Sequence, residues 1–190
     1  MTGARSRSSQ VPDSAAGASN PRKRLTREIY GGYRRNSSGS GVYVAQNEYY
    51  EGPERVVSYT DPGDHRNHRI YLQGPWFNGL EELRHARETA GYEDYIALRF
   101  SATAVNAVVN PLVDVPFEVQ VTIDGRPLSA EEAGPDVVVA DGRSFFRVDE
   151  GRLYQVVALA EYGSHDLRLS STSDNFALFA LTFGAYQEGP

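Results

Sequence analysis

The chain has 190 residues, no cysteine and a formal net charge of −6. This length fits one domain with a tail. The lack of cysteine excludes disulfides, zinc–thiolate sites, iron–sulfur clusters and thiol nucleophiles from this sequence. The acidic balance argues against a general nucleic-acid binder. No apolar run is long enough for a transmembrane helix, and no apolar signal segment is visible, which predicts a cytoplasmic protein without a membrane partner.

Charge and composition separate the N-terminal segment from the rest of the chain. Residues 1–35 carry eight Lys/Arg against two Asp/Glu, whereas the remainder is strongly acidic. Residues 1–25 contain almost no large apolar side chain, so they cannot bury enough surface to offset the entropy of ordering. We therefore predict a disordered basic tail over residues 1–25.

The next segment, residues 26–68, is rich in tyrosine. Seven of the 12 tyrosines lie between Tyr30 and Tyr71, and residues 36–41 are typical of a flexible turn. Periodicity is weak, which predicts an extended arm that packs on a sheet. The rings can pack on their own domain or dock a partner, because tyrosine suits both roles. The candidate docking residues are Tyr30, Tyr33, Tyr43, Tyr49 and Tyr50.

From residue 69 to 186 the pattern predicts a succession of strands. Phe117 to Asp124 alternates strictly between apolar and polar residues, which is typical of a strand with one buried face. Asp124-Gly125 and Asp141-Gly142 have the composition of tight hairpin turns. Residues 79–90 favour a helix by propensity but also alternate between neighbouring strands, and we favour a strand. The whole predicts an all-β, jelly-roll-like β-sandwich that forms one domain with the arm.

A polar loop precedes the first strand of the sandwich. Asp61, Asp64, His65 and His68 include the ligand types of a transition-metal site, and Asp61 and Asp64 suit calcium. The same composition is typical of an exposed, hydrogen-bonded turn in which Asn67 and His68 hold the following strand. We predict no cofactor, with calcium as the alternative.

Trp76 is the only tryptophan. It follows Gly74-Pro75 at a predicted strand end, where it can be a core residue or an aromatic face on which a sugar ring stacks. Polar neighbours would then supply hydrogen bonds to the sugar hydroxyls. The candidate ligand-binding residues are Asn67, His68, Arg69, Tyr71, Trp76, Tyr92, Glu93 and Asp94.

Catalytic patterns are missing from the sequence. Glu93 and Asp94 are adjacent, so in a strand they face opposite ways and cannot act across a cleft as a glycosidase pair. Ser164-His165-Asp166 is a consecutive run, whereas catalytic triads assemble in space. No nucleophile elbow or phosphate-binding glycine loop occurs. We therefore predict a protein that is not an enzyme.

Five segments in register resemble a known domain. They are residues 27–33 (REIYGGY), 67–76 (NHRIYLQGPW), 121–125 (VTIDG), 152–155 (RLYQ) and 180–184 (ALTFG). Together they resemble the C-terminal domain that follows the thioredoxin or redoxin domain of DipZ-like bacterial proteins, over roughly residues 26–186.

The resemblance implies a sandwich similar to carbohydrate-binding modules and an accessory role beside a thiol–disulfide domain. The redox chemistry of that family resides in the preceding domain, which this sequence lacks. Two functions follow as expectations. The chain docks a thioredoxin-like protein or domain through the tyrosine-rich arm, or it binds a glycan through Trp76.

Overall fold

The computed structural model describes residues 25–36 and 42–184. The predicted disordered tail lies outside these ranges except for Leu25, and so does the predicted turn after Asn36. Within the described ranges, no helix has the length and apolar character needed to cross a bilayer.

Regular structure in the described ranges is almost entirely β, which confirms the predicted fold class. The strands are β1 (Ile29–Tyr30), β2 (Val56–Tyr59), β3 (Arg69–Asn78), β4 (Leu83–His85), β5 (Tyr95–Val109), β6 (Phe117–Ile123), β7 (Arg126–Pro127), β8 (Val137–Ala140), β9 (Arg143–Val148), β10 (Arg152–Ser170) and β11 (Ala177–Gly184). The arm also contains one short α-helix, α1 (Tyr33–Asn36), and a 3-10 turn at Asn47–Glu51.

Two long strands, β5 and β10, form the centre of the fold. They pair antiparallel over most of their length, from Arg152 opposite Val109 to Ser170 opposite Tyr95. Strand β3 pairs with the first half of β5, and β11 pairs with its second half. Residues 100–105 of β5 are all buried, because neighbouring layers cover both faces of this strand. The sandwich is thereby confirmed, and the jelly-roll connectivity stays a prediction.

The alternation read from the sequence gives the correct buried face. Phe117, Val119, Val121 and Ile123 of β6 are buried, and the intervening residues are half-exposed. Both Asp-Gly pairs have positive φ at each residue, with φ 50° at Asp124 and 51° at Asp141. Such values match two-residue hairpin turns, in which Asp and Gly tolerate the left-handed conformation.

The segment over residues 79–90 is neither a helix nor a long strand. Only Leu83–His85 forms a strand, β4, which lies between β3 and β11. The remainder is turn and loop. Helix propensity is a weak preference, and here pairing with two neighbours determines the conformation of the middle residues.

The tyrosine-rich arm packs on the sandwich. Ile29 and Tyr30 add an edge to β11, and Val44 bridges in parallel to Ile70 of β3. Strand β2 pairs with β3. The arm therefore contributes to the same hydrophobic core as the longer strands.

Candidate functional site

Trp76 lies in the core and has no exposed surface. Its indole Nε1 donates a hydrogen bond to the Gln73 carbonyl at 2.9 Å. The ring makes an edge contact with Phe176 and lies 5.2 Å from the His85 ring, centroid to centroid. A sugar stacks only on an exposed ring face. The structure therefore corrects the assignment of Trp76 as a ligand-binding residue in favour of its core alternative.

Asp94 is likewise buried, and three protein donors use its carboxylate. Arg87 donates two hydrogen bonds at 2.7 and 2.9 Å, and His85 Nε2 lies 2.9 Å from Oδ2. Burial alone would raise the pKa of the Asp94 carboxyl, but the hydrogen bonds from Arg87 and His85 hold it below its ordinary value. Asp94 thus joins β4 to the loop before β5, and the assignment of this residue to ligand binding is corrected.

Tyr92 and Glu93, which precede Asp94 in the chain, are more accessible to solvent than Asp94. Glu93 is exposed, and Tyr92 is half-buried with its hydroxyl 3.2 Å from Arg143 Nη1. Glu93 and Asp94 do face opposite environments. Tyr92 and Glu93 therefore retain accessible surface, and a role for them in ligand binding stays a prediction.

The loop over residues 61–69 is a hydrogen-bonded turn. Asp61 Oδ1 accepts from Gly63 N at 2.9 Å and lies 2.8 Å from His65 Nε2, while Oδ2 accepts from the Tyr95 hydroxyl at 2.8 Å. Burial would raise the pKa of Asp61, and the hydrogen bonds from Gly63, His65 and Tyr95 lower it overall. Protein groups thus contact both Asp61 oxygens, and calcium binding at this loop stays a prediction. No group of three or more metal-ligating side chains occurs among the described residues.

Tyr71 of β3 packs against the same turn. Its ring is buried and stacks on the His65 imidazole, with centroids 4.5 Å apart. Its hydroxyl accepts a hydrogen bond from Arg66 N at 2.9 Å. The ring and the hydroxyl both support the loop, so Tyr71 is also withdrawn from the ligand-binding set.

Asn67, His68 and Arg69 connect the loop to β3 and β5. Asn67 Nδ2 donates to Ser101 Oγ at 2.6 Å, and His68 N donates to the Arg99 carbonyl at 2.8 Å. His68 has φ 68°, which marks a local bend before the strand begins. Asn67 Oδ1 and Arg69 Nη1 are buried atoms without a hydrogen-bond partner. These contacts agree with the prediction that Asn67 and His68 hold β3, the strand that follows the loop.

The arm tyrosines divide into an inner and an outer group. Tyr49 is fully buried and donates to the Gly31 carbonyl at 2.7 Å. Tyr50 donates to the Val44 carbonyl at 2.7 Å, and Tyr33 packs against Tyr49. Burial raises the pKa of Tyr50 to about 12, against a smaller lowering effect of the Arg69 charge. Tyr49 is therefore corrected from a docking residue to a core residue.

The outer group consists of Tyr30 and Tyr43. Both rings are half-buried, as are those of Tyr33 and Tyr50, and the centroids of Tyr30 and Tyr43 lie 6.0 Å apart. The Tyr43 ring also packs against the core, whereas Tyr30 lies beyond it. The Arg35 guanidinium lies over the Tyr30 ring at 4.9 Å, and the Tyr30 hydroxyl donates to Glu28 at 2.6 Å. Tyr30, Arg35 and Tyr43 form a small aromatic and cationic surface, here called the outer arm face.

Asn36 holds the two parts of the arm together, a role that the sequence does not reveal. Its Nδ2 donates to the carbonyls of Tyr30 and Gly32, and its Oδ1 accepts from the backbone N–H of Tyr43 and Val44. The residue is 1% exposed. The start of the predicted flexible turn is thus a buried, fully hydrogen-bonded residue.

Comparison with known proteins identifies the family. A family profile described as "Thioredoxin like C-terminal domain" matches residues 26–184. The chain belongs to the thioredoxin-like C-terminal domain family. No curated protein matches.

Two solved structures are similar to parts of this thioredoxin-like C-terminal domain. A family two carbohydrate esterase from Cellvibrio japonicus is 14% identical, with a TM-score of 0.45, and the match covers 72% of this chain and 35% of that chain. A two-domain esterase (CEX) active on acetylated mannans is 12% identical, with a TM-score of 0.40, and the match covers 80% and 42%. The chain thus spans less than half the length of either esterase.

The first residue of the thioredoxin-like C-terminal domain, Thr26, is bonded directly to the central strand. Thr26 N donates to the Ser101 carbonyl at 2.9 Å, and Ser101 N donates to Thr26 Oγ1 at 2.7 Å. The same hydroxyl lies 2.7 Å from His68 Nδ1. Thr26 and Ser101 are both nearly inaccessible to solvent. The domain therefore begins at a fixed point beside β5, close to the outer arm face in sequence.

Proposed function

We propose that this chain is a non-catalytic accessory module that docks a thioredoxin-like domain or protein. Membership of the thioredoxin-like C-terminal domain family carries the proposal. The sequence contains no cysteine, so a partner has to supply any thiol–disulfide chemistry. In this view, the module positions or presents that partner.

The outer arm face is the docking surface. Tyr30 and Tyr43 offer accessible ring area, and Arg35 adds a cation above one ring. Tyrosine and arginine are enriched at protein interfaces, because each combines a large contact area with directional hydrogen bonding. Asn36 fixes the backbone beneath both rings, so little conformational entropy is lost when a partner binds.

The position of the outer arm face supports the same partner. Tyr30 follows Thr26 by four residues, and Thr26 is held on β5. A thioredoxin-like domain joined ahead of this chain would be tethered, through residues 1–25, on the side from which Thr26 leads to this face. A tether raises the effective concentration of a linked partner, so a modest docking surface would suffice.

The hydrogen bonds of two buried carboxylates, Asp61 and Asp94, support the proposal of a non-catalytic role. The carboxylates of Asp61 and Asp94 accept hydrogen bonds from loop and strand donors. A general acid or base needs a position from which it reaches a substrate proton. Both groups are instead buried, with side chains 2% exposed.

Titration calorimetry tests the proposal. The purified chain is titrated with each thioredoxin-like protein encoded by the same genome, and we expect at least one to bind. The double variant Tyr30→Ala, Tyr43→Ala is expected to bind about tenfold more weakly, a loss of ~1.4 kcal/mol. Tyr92→Ala, a half-buried tyrosine elsewhere on the surface, is the control and retains wild-type affinity.

Two results would count against the proposal in different ways. Failure of every such protein to bind the wild-type chain would exclude docking. Equal weakening by Tyr92→Ala and by the arm variant would leave docking intact but remove the outer arm face as its surface.

A further inference from the structure

A cleft of about 410 Å³ lies on the outer face of β2, β3 and β4. Val56 pairs with Phe77, and Phe77 pairs with Arg84, so these three side chains form one row across the three strands. Leu112 and Val113, in the loop after β5, form the opposite wall. None of these residues takes part in the outer arm face.

The apolar walls of the cleft are open to solvent. Val56 and Val113 are each 58% exposed, and Leu112 is 46% exposed. Single exposed apolar residues are normal, but several that line one cleft indicate a binding surface. Covering them with an apolar side chain would be favourable, because apolar surface is removed from water.

The loop wall is held in place by one buried side chain. Asn175 is 4% exposed. Its Oδ1 accepts from the N–H groups of Leu112 and Val113 at 2.6 and 2.9 Å, and its Nδ2 donates to the carbonyls of Val113 and Val115, both at 2.9 Å. These four bonds use the full capacity of an amide side chain. The loop thus presents its apolar side chains in a fixed arrangement before any partner arrives, which reduces the entropic cost of binding.

The cleft carries charges of both signs, and two exposed carboxylates at one side of it suit a basic side chain of a partner. Arg84, the cation in the lining, lies over the Phe77 ring at 4.3 Å. Asp174 lines the cleft, and Asp114 lies in the loop between Val113 and Val115. Both carboxylates are exposed, and neither forms an ion pair within the part of the chain that the structure describes. A cationic side chain on a partner would find an acceptor here.

The edge of β2 offers backbone groups beside the cleft. Within the described residues, β2 pairs only with β3. Ser58 lies opposite Pro75, which has no N–H, so the hydrogen-bonded pairs are the alternate positions. The N–H and C=O groups of Val56 and Ser58 therefore face away from β3, where an extended chain could bond to them.

We propose that this cleft binds an extended peptide segment in which an apolar side chain is followed by a lysine or arginine. The apolar side chain contacts Phe77, Leu112 and Val113, and the cation pairs with Asp174 or Asp114. The site is separate from the outer arm face and does not depend on docking of a thioredoxin-like partner.

A phage-displayed library of random heptapeptides tests the proposal. The intact chain is immobilised, and we expect enrichment of peptides that combine an apolar residue with an adjacent basic one. A synthetic peptide of the enriched sequence is then titrated into three variants: Val113→Ser, Asp174→Asn and Asn175→Ala. Each is expected to bind about tenfold more weakly. For Asp174→Asn, the remaining affinity is also expected to depend less on salt, because one ion pair is lost.

Val138→Ser is the matched control, since Val138 is an exposed valine, 51% exposed, in β8. Far-UV circular dichroism and the thermal midpoint establish that each variant is folded. Lack of enrichment, enrichment of acidic peptides, or equal binding by the wild type and both Val113→Ser and Asp174→Asn would overturn the proposal. If Asn175→Ala unfolds, the two surface variants still decide the outcome.

Discussion

The Asp94 carboxylate occupies the space that a β-carbon on residue 74 would fill. Gly74 has φ +87°, in the left-handed region. Two reasons therefore favour glycine at this position. Its backbone adopts the left-handed conformation, and the absence of a β-carbon makes space for the Asp94 carboxylate. The pair brings β3 against the buried side chains of His85 and Asp94, and the exposed Arg87 bonds to the same carboxylate.

Gly74→Ala is expected to destabilise the domain by about 2–4 kcal/mol, because backbone strain of ~1 kcal/mol adds to a clash with a buried carboxylate. Gly63→Ala is the control. Gly63 has φ +77°, but nothing lies within 4 Å of its added β-carbon, so only the strain applies. Urea denaturation of both variants measures the difference, and equal losses would show that the Asp94 contact carries no energy.

Asp94→Asn is expected to cost about 2–4 kcal/mol at neutral pH, because it removes a charge acceptor from Arg87 and His85. The pH dependence has a defined sign. The pKa of Asp94 is lower in the folded state than its ordinary 3.8, so its contribution is complete above that value and is lost as the pH falls through the folded pKa. Denaturation between neutral pH and pH 2 is therefore expected to show a smaller acid loss in the variant. Parallel curves for the wild type and the variant would contradict this assignment.

The intrinsic fluorescence of the single tryptophan reports on the core. Trp76 has no exposed surface, so its emission is expected to be blue-shifted and to move to longer wavelength only on unfolding. Mono- and oligosaccharides, with or without calcium, are expected to leave the spectrum unchanged. A saturable spectral shift with any sugar would restore a ligand-binding role near Trp76.

Asn36→Ala is expected to loosen the arm, because four backbone groups lose their side-chain partner at once. Buried groups without partners cost ~1–3 kcal/mol each when water cannot reach them. Hydrogen exchange at Tyr43 and Val44 is expected to speed up relative to Asn47→Ala, a change at an exposed asparagine in the same arm. Unchanged protection would mean that the tyrosine rings alone hold the arm.

The strands were predictable wherever one face is buried. β6 alternates because one side meets the core, and the Asp-Gly pairs occur where φ is positive at both turn residues. Residues 152–170 form one long strand, β10, whose pairing with β5 has a register shift between Ala158 and Gly163. An irregularity of this kind leaves no periodic signal in the sequence.

The candidate site was less predictable, because the same residue types serve structural and functional purposes. Trp76 and Asp94 resemble ligand-binding residues in the sequence, and only the packing around them reveals their structural role. Leu112 and Val113 resemble core residues, yet Asn175, more than 60 positions later, holds them at the surface. Long-range hydrogen bonds to a single asparagine leave no local pattern to detect.

The long ladder between β5 and β10 also bears on how the chain folds. Its paired residues run from Arg152 with Val109 to Ser170 with Tyr95. Each of these pairs joins two positions that are several tens of residues apart in the sequence. Folds dominated by such contacts close large loops before the pairing energy is gained, and they fold in milliseconds to seconds. We therefore expect formation of this ladder to set the folding rate, with the arm and its tyrosines joining after the rate-limiting step.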